Sequence, residues 1–273
     1  MGILKIKSHE PVLPLIQGGM AVGISLDGLS AAVASVGGVG TIGTAGIGMT
    51  IEGYAKNFKQ ASMEGLKNVI KKARSKTDGL LGVNIMVALT NYQDMVVTAL
   101  KEKIDMIISG AGLPLDLPSY LEEGSKTAII PIVSSLKSAK VILKRWFGKF
   151  RYIPDAFIVE GPKAGGHLGY RVEDLQSQEF SLARTIPQVR QLTEEIKREY
   201  GKDVPVIAAG GIFERKDVQE MFELGAKGVQ VGTAFIATRE CDADIRFKQA
   251  LIEAKKEDIV IIKSPVGMPG RAI

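Results

Sequence analysis

The chain has 273 residues, 45% of them hydrophobic and 24% charged, and a formal net charge of +5. Those proportions suit a globular protein with ample core and exclude a disordered or low-complexity chain. Its lysines and arginines are dispersed rather than packed into a block with interleaved aromatics, and no apolar run reaches the length of a membrane span; nucleic acid and membrane are therefore not expected partners.

Taken in chain order, short apolar runs occupy residues 13–17, 39–42, 81–85, 105–108, 128–133, 156–159, 204–208 and 228–231. Each is too short for a helix and mostly apolar, the pattern of a strand buried on both faces of a parallel sheet. Between and after them, helical periodicity marks 26–36, 51–75, 91–103, 118–123, 136–147, 182–200, 215–224 and 244–255. Eight alternating units predict an α/β fold of the closed (β/α)8 TIM-barrel type, a single domain over residues 1–273. A doubly wound sheet would carry Gly-x-Gly-x-x-Gly after its first strand. Here the first run is followed by Gly18-Gly19-Met20, and Gly37-Gly38-Val39-Gly40 precedes a strand instead of following one. Residues 259–262 are expected to add a small strand after the last helix. The Pro- and Gly-spaced residues 264–271 read as an irregular loop.

The single cysteine, Cys241, excludes an internal disulfide and fits a reducing compartment. With no signal-peptide pattern at the N-terminus, a cytoplasmic location is expected. Cys241 sits between Glu240 and Asp242, neighbours that disfavour a thiolate, so a nucleophilic role is not expected. No histidine or cysteine pairs have metal-ligand spacing, and no metal site is predicted.

A barrel of this type carries its site on the C-terminal ends of the strands. Those ends read Gln17-Gly18-Gly19-Met20, Gly43-Thr44, Asn84, Ser109-Gly110, Ser134-Ser135, Glu160-Gly161, Ala209-Gly210-Gly211 and Gly232-Thr233. Small residues and amides suit a flat ligand across the mouth. Glycine at the ends of the last two strands leaves backbone N–H groups open to a phosphate. The sixth end continues into Lys163-Ala164-Gly165-Gly166-His167-Leu168-Gly169. This puts one imidazole, able to exchange a proton near neutral pH, beside whatever fills the mouth. The chain's other histidine, His9, lies in the N-terminal segment. Lys137, Lys140 and Lys144 share one helix face, followed by Arg145, Lys149 and Arg151; a solvated outer face is the default reading, and a docking patch for an acidic partner the alternative.

The runs Gln17-Gly18-Gly19-Met20, Gly82-Val83-Asn84-Ile85-Met86, residues 160–169, Ala208-Ala209-Gly210-Gly211-Ile212 and Val229-Gln230-Val231-Gly232-Thr233 together resemble the nitronate monooxygenase family. Members of that family were formerly called 2-nitropropane dioxygenases. The same runs are similar to the FMN-dependent enoyl-acyl-carrier-protein reductases. The resemblance spans nearly the whole chain and implies an FMN-containing oxidoreductase. It implies that Ala209, Gly210, Gly211, Gly232 and Thr233 hold the FMN phosphate region and that Gly19, Met20 and Asn84 lie against the flavin ring. Glu160 and the backbone of Ala164, Gly165 and Gly166 would flank the ribityl chain and ring edge. His167 would act as base toward a nitroalkane or bind its nitro group, with carbonyl compound and nitrite as products.

In the reductase branch the substrate would be an enoyl thioester and the reductant NAD(P)H. A phosphate- or flavin-binding barrel without catalysis is the third reading. The tail at 263–272 and the run at 238–243 resemble the monooxygenase branch. Relatives with this tail commonly continue past the Pro-Gly-Arg element, so a further segment over the barrel mouth is an expectation, as is a homodimer.

Overall fold

The buried apolar runs form one parallel ring. The computed structural model describes residues 3–264 and 267–273. The strands are β1 (Leu15–Gln17), β2 (Gly40–Gly43), β3 (Leu81–Met86), β4 (Met106–Gly110), β5 (Ala128–Val133), β6 (Phe157–Glu160), the two-residue β7 (Gly166–His167), β8 (Val206–Ala209) and β9 (Gly228–Val231). Pairing runs β1–β9–β8–β6–β5–β4–β3–β2. The ring closes between its two end strands. Gln17 N–H donates to Val39 O at 2.9 Å, and Val39 N–H donates to Leu15 O at 2.9 Å. The predicted eight-stranded barrel is the observed fold.

Period-two alternation divides the uniformly apolar strands between two cores. Ile107, Ile129, Phe157 and Val159 face outward into the layer shared with the helices. Met106, Ile108, Ala128, Ile130, Ala156 and Ile158 fill the barrel interior. Leu4 and Ile6 join that interior layer, so the N-terminal segment plugs the bottom, with Ile6 and His9 bridging each other.

The outer layer comprises α1 (Asp27–Ser35), α2 (Phe58–Arg74), α3 (Tyr92–Lys101), α4 (Leu136–Phe150), α5 (Leu182–Tyr200), α6 (Arg215–Glu223), the short α7 (Thr233–Ile236) and α8 (Ile245–Glu253). The helix expected at 118–123 is absent. A 3-10 turn over Leu117–Tyr120 takes its place, begun by Pro118 and followed by Gly124 at φ +77°. The five residues between those two leave too little chain for a stable α-helix. The fully buried Trp146 of α4 covers the gap, donating from Nε1 to Pro114 O at 2.9 Å. At the start of α1, Leu26 cannot cap. Its role falls to Asp242, whose carboxylate accepts the N–H groups of Leu26 (2.7 Å), Gly28 (2.9 Å) and Leu29 (3.1 Å). Cys241 beside it is buried, with Sγ on Ile24 O.

The tail departs from expectation. Residues 264–271 were expected to be an irregular loop, and Pro265 and Val266 of that stretch lie outside the described residues. Beyond them, β11 (Pro269–Ala272) runs antiparallel both to β10 (Val260–Lys263) and to β7. No local alternation marks Pro-Gly-Arg-Ala as a strand. It is extended because it pairs along its whole length with β10 and, through Gly270 and Arg271, with the distant β7.

The bottom of the barrel depends on one buried carboxylate. Asp155 is 1% exposed and accepts hydrogen bonds from Ile129 N–H (2.9 Å), Tyr152 O–H (2.5 Å) and Lys202 Nζ (2.8 Å). Removing one partner of such a pair leaves the other desolvated and uncompensated. Asp155→Ala is expected to lower unfolding free energy by about 3 kcal/mol in chemical denaturation. A loss below about 1 kcal/mol would mean the network is dispensable.

Candidate functional site

The first strand end is fixed from two sides. Gln17 is fully buried; its Oε1 accepts Thr41 N–H at 2.8 Å and its Nε2 donates to Gly18 O. Ser25 Oγ accepts Met20 N–H at 2.8 Å and donates to Met20 O at 3.0 Å, which holds the turn after β1. A Cβ on Gly19 would lie 2.3 Å from Asn84 Cβ, so only glycine allows this turn and the end of β3 to meet. Thr44 secures Asn84 by donating twice to its carbonyl, from N at 3.2 Å and Oγ1 at 2.8 Å.

The ends of β8 and β9 complete an arc. A Cβ on Gly232 would lie 3.6 Å from Met20 Sδ, and one on Gly165 would lie 3.5 Å from Thr233 Oγ1. Gly210 and Gly211 have φ of +93° and +80°, where other residues are strained. Side chains there would also strike the neighbouring loop: Gly161 O at 2.8 Å for Gly210 and Lys163 Cβ at 2.6 Å for Gly211. Asn84, Gly19, Met20, Gly232, Thr233, Gly165, Ala164 and Gly210 thus form a connected series of close approaches around the rim. Backbone dominates its surface, and Ala209 lies just behind it, buried at the end of β8.

Glu160 and His167 lie on a different wall. Both line a cavity of about 660 Å³ together with Ala111, Gly112, Leu113, Ser134 and Tyr170. Met268 and Pro269, from the tail, close its far side. The sequence-predicted residues therefore divide: most glycines make the rim arc, while the two ionisable groups face the cavity beside it. Gly166 sits between the two regions, at φ +73° in β7.

The electrostatics of the cavity follow from burial. Desolvation pushes the Glu160 carboxyl up to about 7 and pulls the His167 imidazole below its usual value. His167 is therefore largely neutral at pH 7, and its Nε2 is buried without a hydrogen-bond partner. Tyr170 O–H donates to Ser134 O at 3.1 Å and to Glu160 O, tying the ends of β5 and β6 together. Burial also raises the Tyr170 phenol, so it stays a donor.

Several residues of the site carried no separate weight in the sequence. Gln17 and Gln230 sat inside quoted motifs, and Gln230 Oε1 proves buried and unpartnered, as does Thr41 Oγ1. Tyr170 follows directly on the glycine–histidine run, and an aromatic there was the available signal. Ala111–Leu113 gave none, because their loop replaces a helix. Among the described residues there is no cluster of three or more His, Cys, Asp or Glu, and no helix long and apolar enough to cross a membrane.

Glu160 gives the apoprotein a pH signature. A carboxyl that ionises near 4.5 when unfolded but near 7 when folded favours the folded state most below pH 4.5. That contribution is lost as pH rises through about 7. Between these limits the thermal midpoint of wild type should fall relative to that of Glu160→Gln. Parallel curves for the two proteins would show that Glu160 titrates normally.

The fold recurs in known proteins. The family model described as nitronate monooxygenase matches residues 4–273. A probable nitronate monooxygenase of Staphylococcus saprophyticus is 36% identical over 119 residues, 44% of this chain but only 32% of that protein. The matched segment is thus about a third of the curated relative's length. Among solved structures, FabK from Thermotoga maritima has a TM-score of 0.72 and 30% identity, covering 96% of this chain and 71% of that one. The nitroalkane oxidase of Streptomyces ansochromogenes, at 24% identity and TM-score 0.75, shares the fold over 96% of this chain and 76% of its own. With a family model matched from the fourth residue to the last, the chain belongs to the nitronate monooxygenase family.

Proposed function

We propose that this barrel binds FMN across its mouth and uses it to oxidise alkyl nitronates with O2, yielding a carbonyl compound and nitrite. The observation that carries this reading is His167 Nε2, a buried nitrogen without a partner, in a cavity beside a glycine-built rim. The residues present fit the cofactor. Gly210 and Gly211 bar side chains from a cradle that suits a phosphate, with Gly232, Thr233 and Ala209 completing it. Gly19, Met20 and Asn84 offer a flat, close-packed wall for a ring. The orphaned oxygens of Gln230 and Thr41 are acceptors for amide or hydroxyl donors. Glu160, Ala164, Gly165 and Gly166 would border the ribityl chain and the ring edge.

When bound, FMN supplies the redox chemistry, taking electrons from the nitronate and delivering them to oxygen. The chain's own work is acid–base and electrostatic. A neutral imidazole can accept the proton that a nitroalkane loses from Cα, leaving the nitronate anion beside the resulting imidazolium. Glu160, with its carboxyl pushed up to about 7, carries less negative charge at neutral pH than an ordinary carboxylate and repels that anion less. Leu113, Ile132, Val133 and Leu168 give the cavity an apolar lining for the alkyl part.

A second reading, NAD(P)H-dependent reduction of an enoyl thioester, is favoured by one surface. Leu136, Lys137, Lys140, Val141 and Lys144 line a groove on α4, which begins just after the cavity residue Ser134. These lysines make no salt bridge among the described residues, whereas Arg145 and Lys149 both engage Asp116. An acidic carrier of the thioester would match that face.

In anaerobic mixing, the flavin of the FMN-loaded protein is expected to bleach with an alkyl nitronate and to ignore nicotinamides. Bleaching by NADH or NADPH would transfer the reading to the reductase. His167→Ala is expected to retain FMN and to lower nitroalkane turnover by about a hundredfold to ten-thousandfold, measured as nitrite released. Loss of flavin together with activity would make the histidine structural.

A further inference from the structure

The loop that carries His167 is held by the tail. Leu168 N–H donates to Pro269 O at 2.9 Å, and β11 pairs Gly270 with His167 and Arg271 with Gly166. The Arg271 side chain then reaches past β7 into the loop. Its Nη1 donates to Pro162 O at 2.8 Å and to Ala164 O at 2.6 Å. A single nitrogen thus gathers two carbonyls, two residues apart, on one side of the loop.

That arrangement has a consequence for the other side. In a trans peptide the carbonyl and the following N–H point in opposite directions. With Pro162 O and Ala164 O turned onto Arg271, the N–H groups of Lys163 and Gly165 turn away from it. The loop's neighbours apart from the tail are the rim glycines. A Cβ on Gly211 would strike Lys163, one on Gly210 would strike Gly161 and Ala164, and Gly165 lies by Thr233. Neither Lys163 N–H nor Gly165 N–H donates to another backbone group among the described residues. Ala164 N–H, between them, donates to Gly161 O at 3.2 Å, which leaves the Lys163 and Gly165 N–H groups as the pair free to receive an anion.

We propose that Arg271 is a positioning residue: by fixing the carbonyls of Pro162 and Ala164 it presents the Lys163 and Gly165 N–H groups to an anion at the Gly210–Gly211 rim, and it holds the His167 strand in register. No other cationic side chain is seen to bind those two carbonyls among the described residues. The guanidinium is suited to the task because its donors lie in a rigid plane and it keeps its charge when partly desolvated. Lysine would offer a single mobile point charge. The ligand readout of this proposal rests on the FMN reading above, and the backbone readout does not.

The test compares wild type with Arg271→Met and Arg271→Lys, using FMN as the probe. FMN affinity is read by quenching of flavin fluorescence, and loop order by hydrogen–deuterium exchange of amides 163–168 in the protein without FMN. Arg271→Met is expected to bind FMN about tenfold to a hundredfold more weakly, the value of losing hydrogen bonds to a charged donor. Its amides at 163–168 should exchange faster, while exchange in β3 and β4 stays unchanged. Added guanidinium ion at millimolar concentration should restore affinity to Arg271→Met, a rescue that a merely destabilised tail would not show. Arg271→Lys should recover only part of the affinity.

If both variants bind FMN as wild type does and exchange at 163–168 is unaltered, the proposal is overturned. If Arg271→Met unfolds, Arg271→Lys decides alone: wild-type affinity and exchange in that variant would overturn the proposal, and weakened binding with faster exchange would uphold it. Should wild type itself fail to bind FMN, the FMN reading falls. The exchange comparison then still decides the role of Arg271.

Discussion

Everything at the mouth of this barrel depends on the ring being closed. The ladder between β1 and the Val39 end of β2 is short, two backbone hydrogen bonds around Ile16. Closure turns eight separate strand ends into one rim. Gln17 serves it twice, through its backbone to Val39 and through its buried amide to Thr41. Because its side chain spans the seam, the first turn of the site, Gly18-Gly19-Met20, is anchored to the second and third strands and not left as a free loop. The contact of Gly19 with Asn84 follows from that anchoring, and so does the approach of Met20 to Gly232 on the far side.

The rim is rigid where backbone is packed on backbone, and it has one added part. The His167 strand does not belong to the ring. It belongs to a small antiparallel sheet with β10 and β11, built over the mouth. That sheet brings together residues from opposite ends of the barrel half of the chain: the histidine after the sixth ring strand, and Met268, Pro269 and Arg271 after the last helix. The cavity wall is therefore shared between a scaffold set by strand order and a lid-like sheet set by tail pairing. In the proposed reading the substrate would meet the shared cavity wall and the cofactor the glycine rim. Such a division lets the apolar lining vary without disturbing the glycine arc.

How much of this was legible in the sequence varies with the range of the interaction. The strands were readable because each is a short, mostly apolar run, and the helix over 182–200 coincides with α5 (Leu182–Tyr200) because its periodicity is long. The helix expected at 118–123 failed on Pro118 and Gly124, local breakers outvoting local periodicity. The tail failed for the opposite reason. The Pro-Gly-Arg-Ala run shows no strand alternation of its own; it is held extended by its pairing with β10 and with two residues of the distant β7 loop. At the site, glycine pairs at strand ends and a histidine in a glycine-rich loop were conspicuous because such residues are costly or useless elsewhere. Arg271 and Tyr170 were not, since each acts through backbone carbonyls that leave no mark in the sequence. Which glycines face the rim and which residues face the cavity required the fold.

The central claim is that this rim is a phosphate cradle serving a flavin, and comparing FMN with riboflavin tests it most directly. The two share the ring and ribityl chain and differ only in the phosphate. Charge-assisted hydrogen bonds from the Gly210–Gly211 and Gly232–Thr233 backbone predict that FMN binds at least about a hundredfold more tightly, by fluorescence titration. Equal affinity for the two, or no binding of either, would contradict the account.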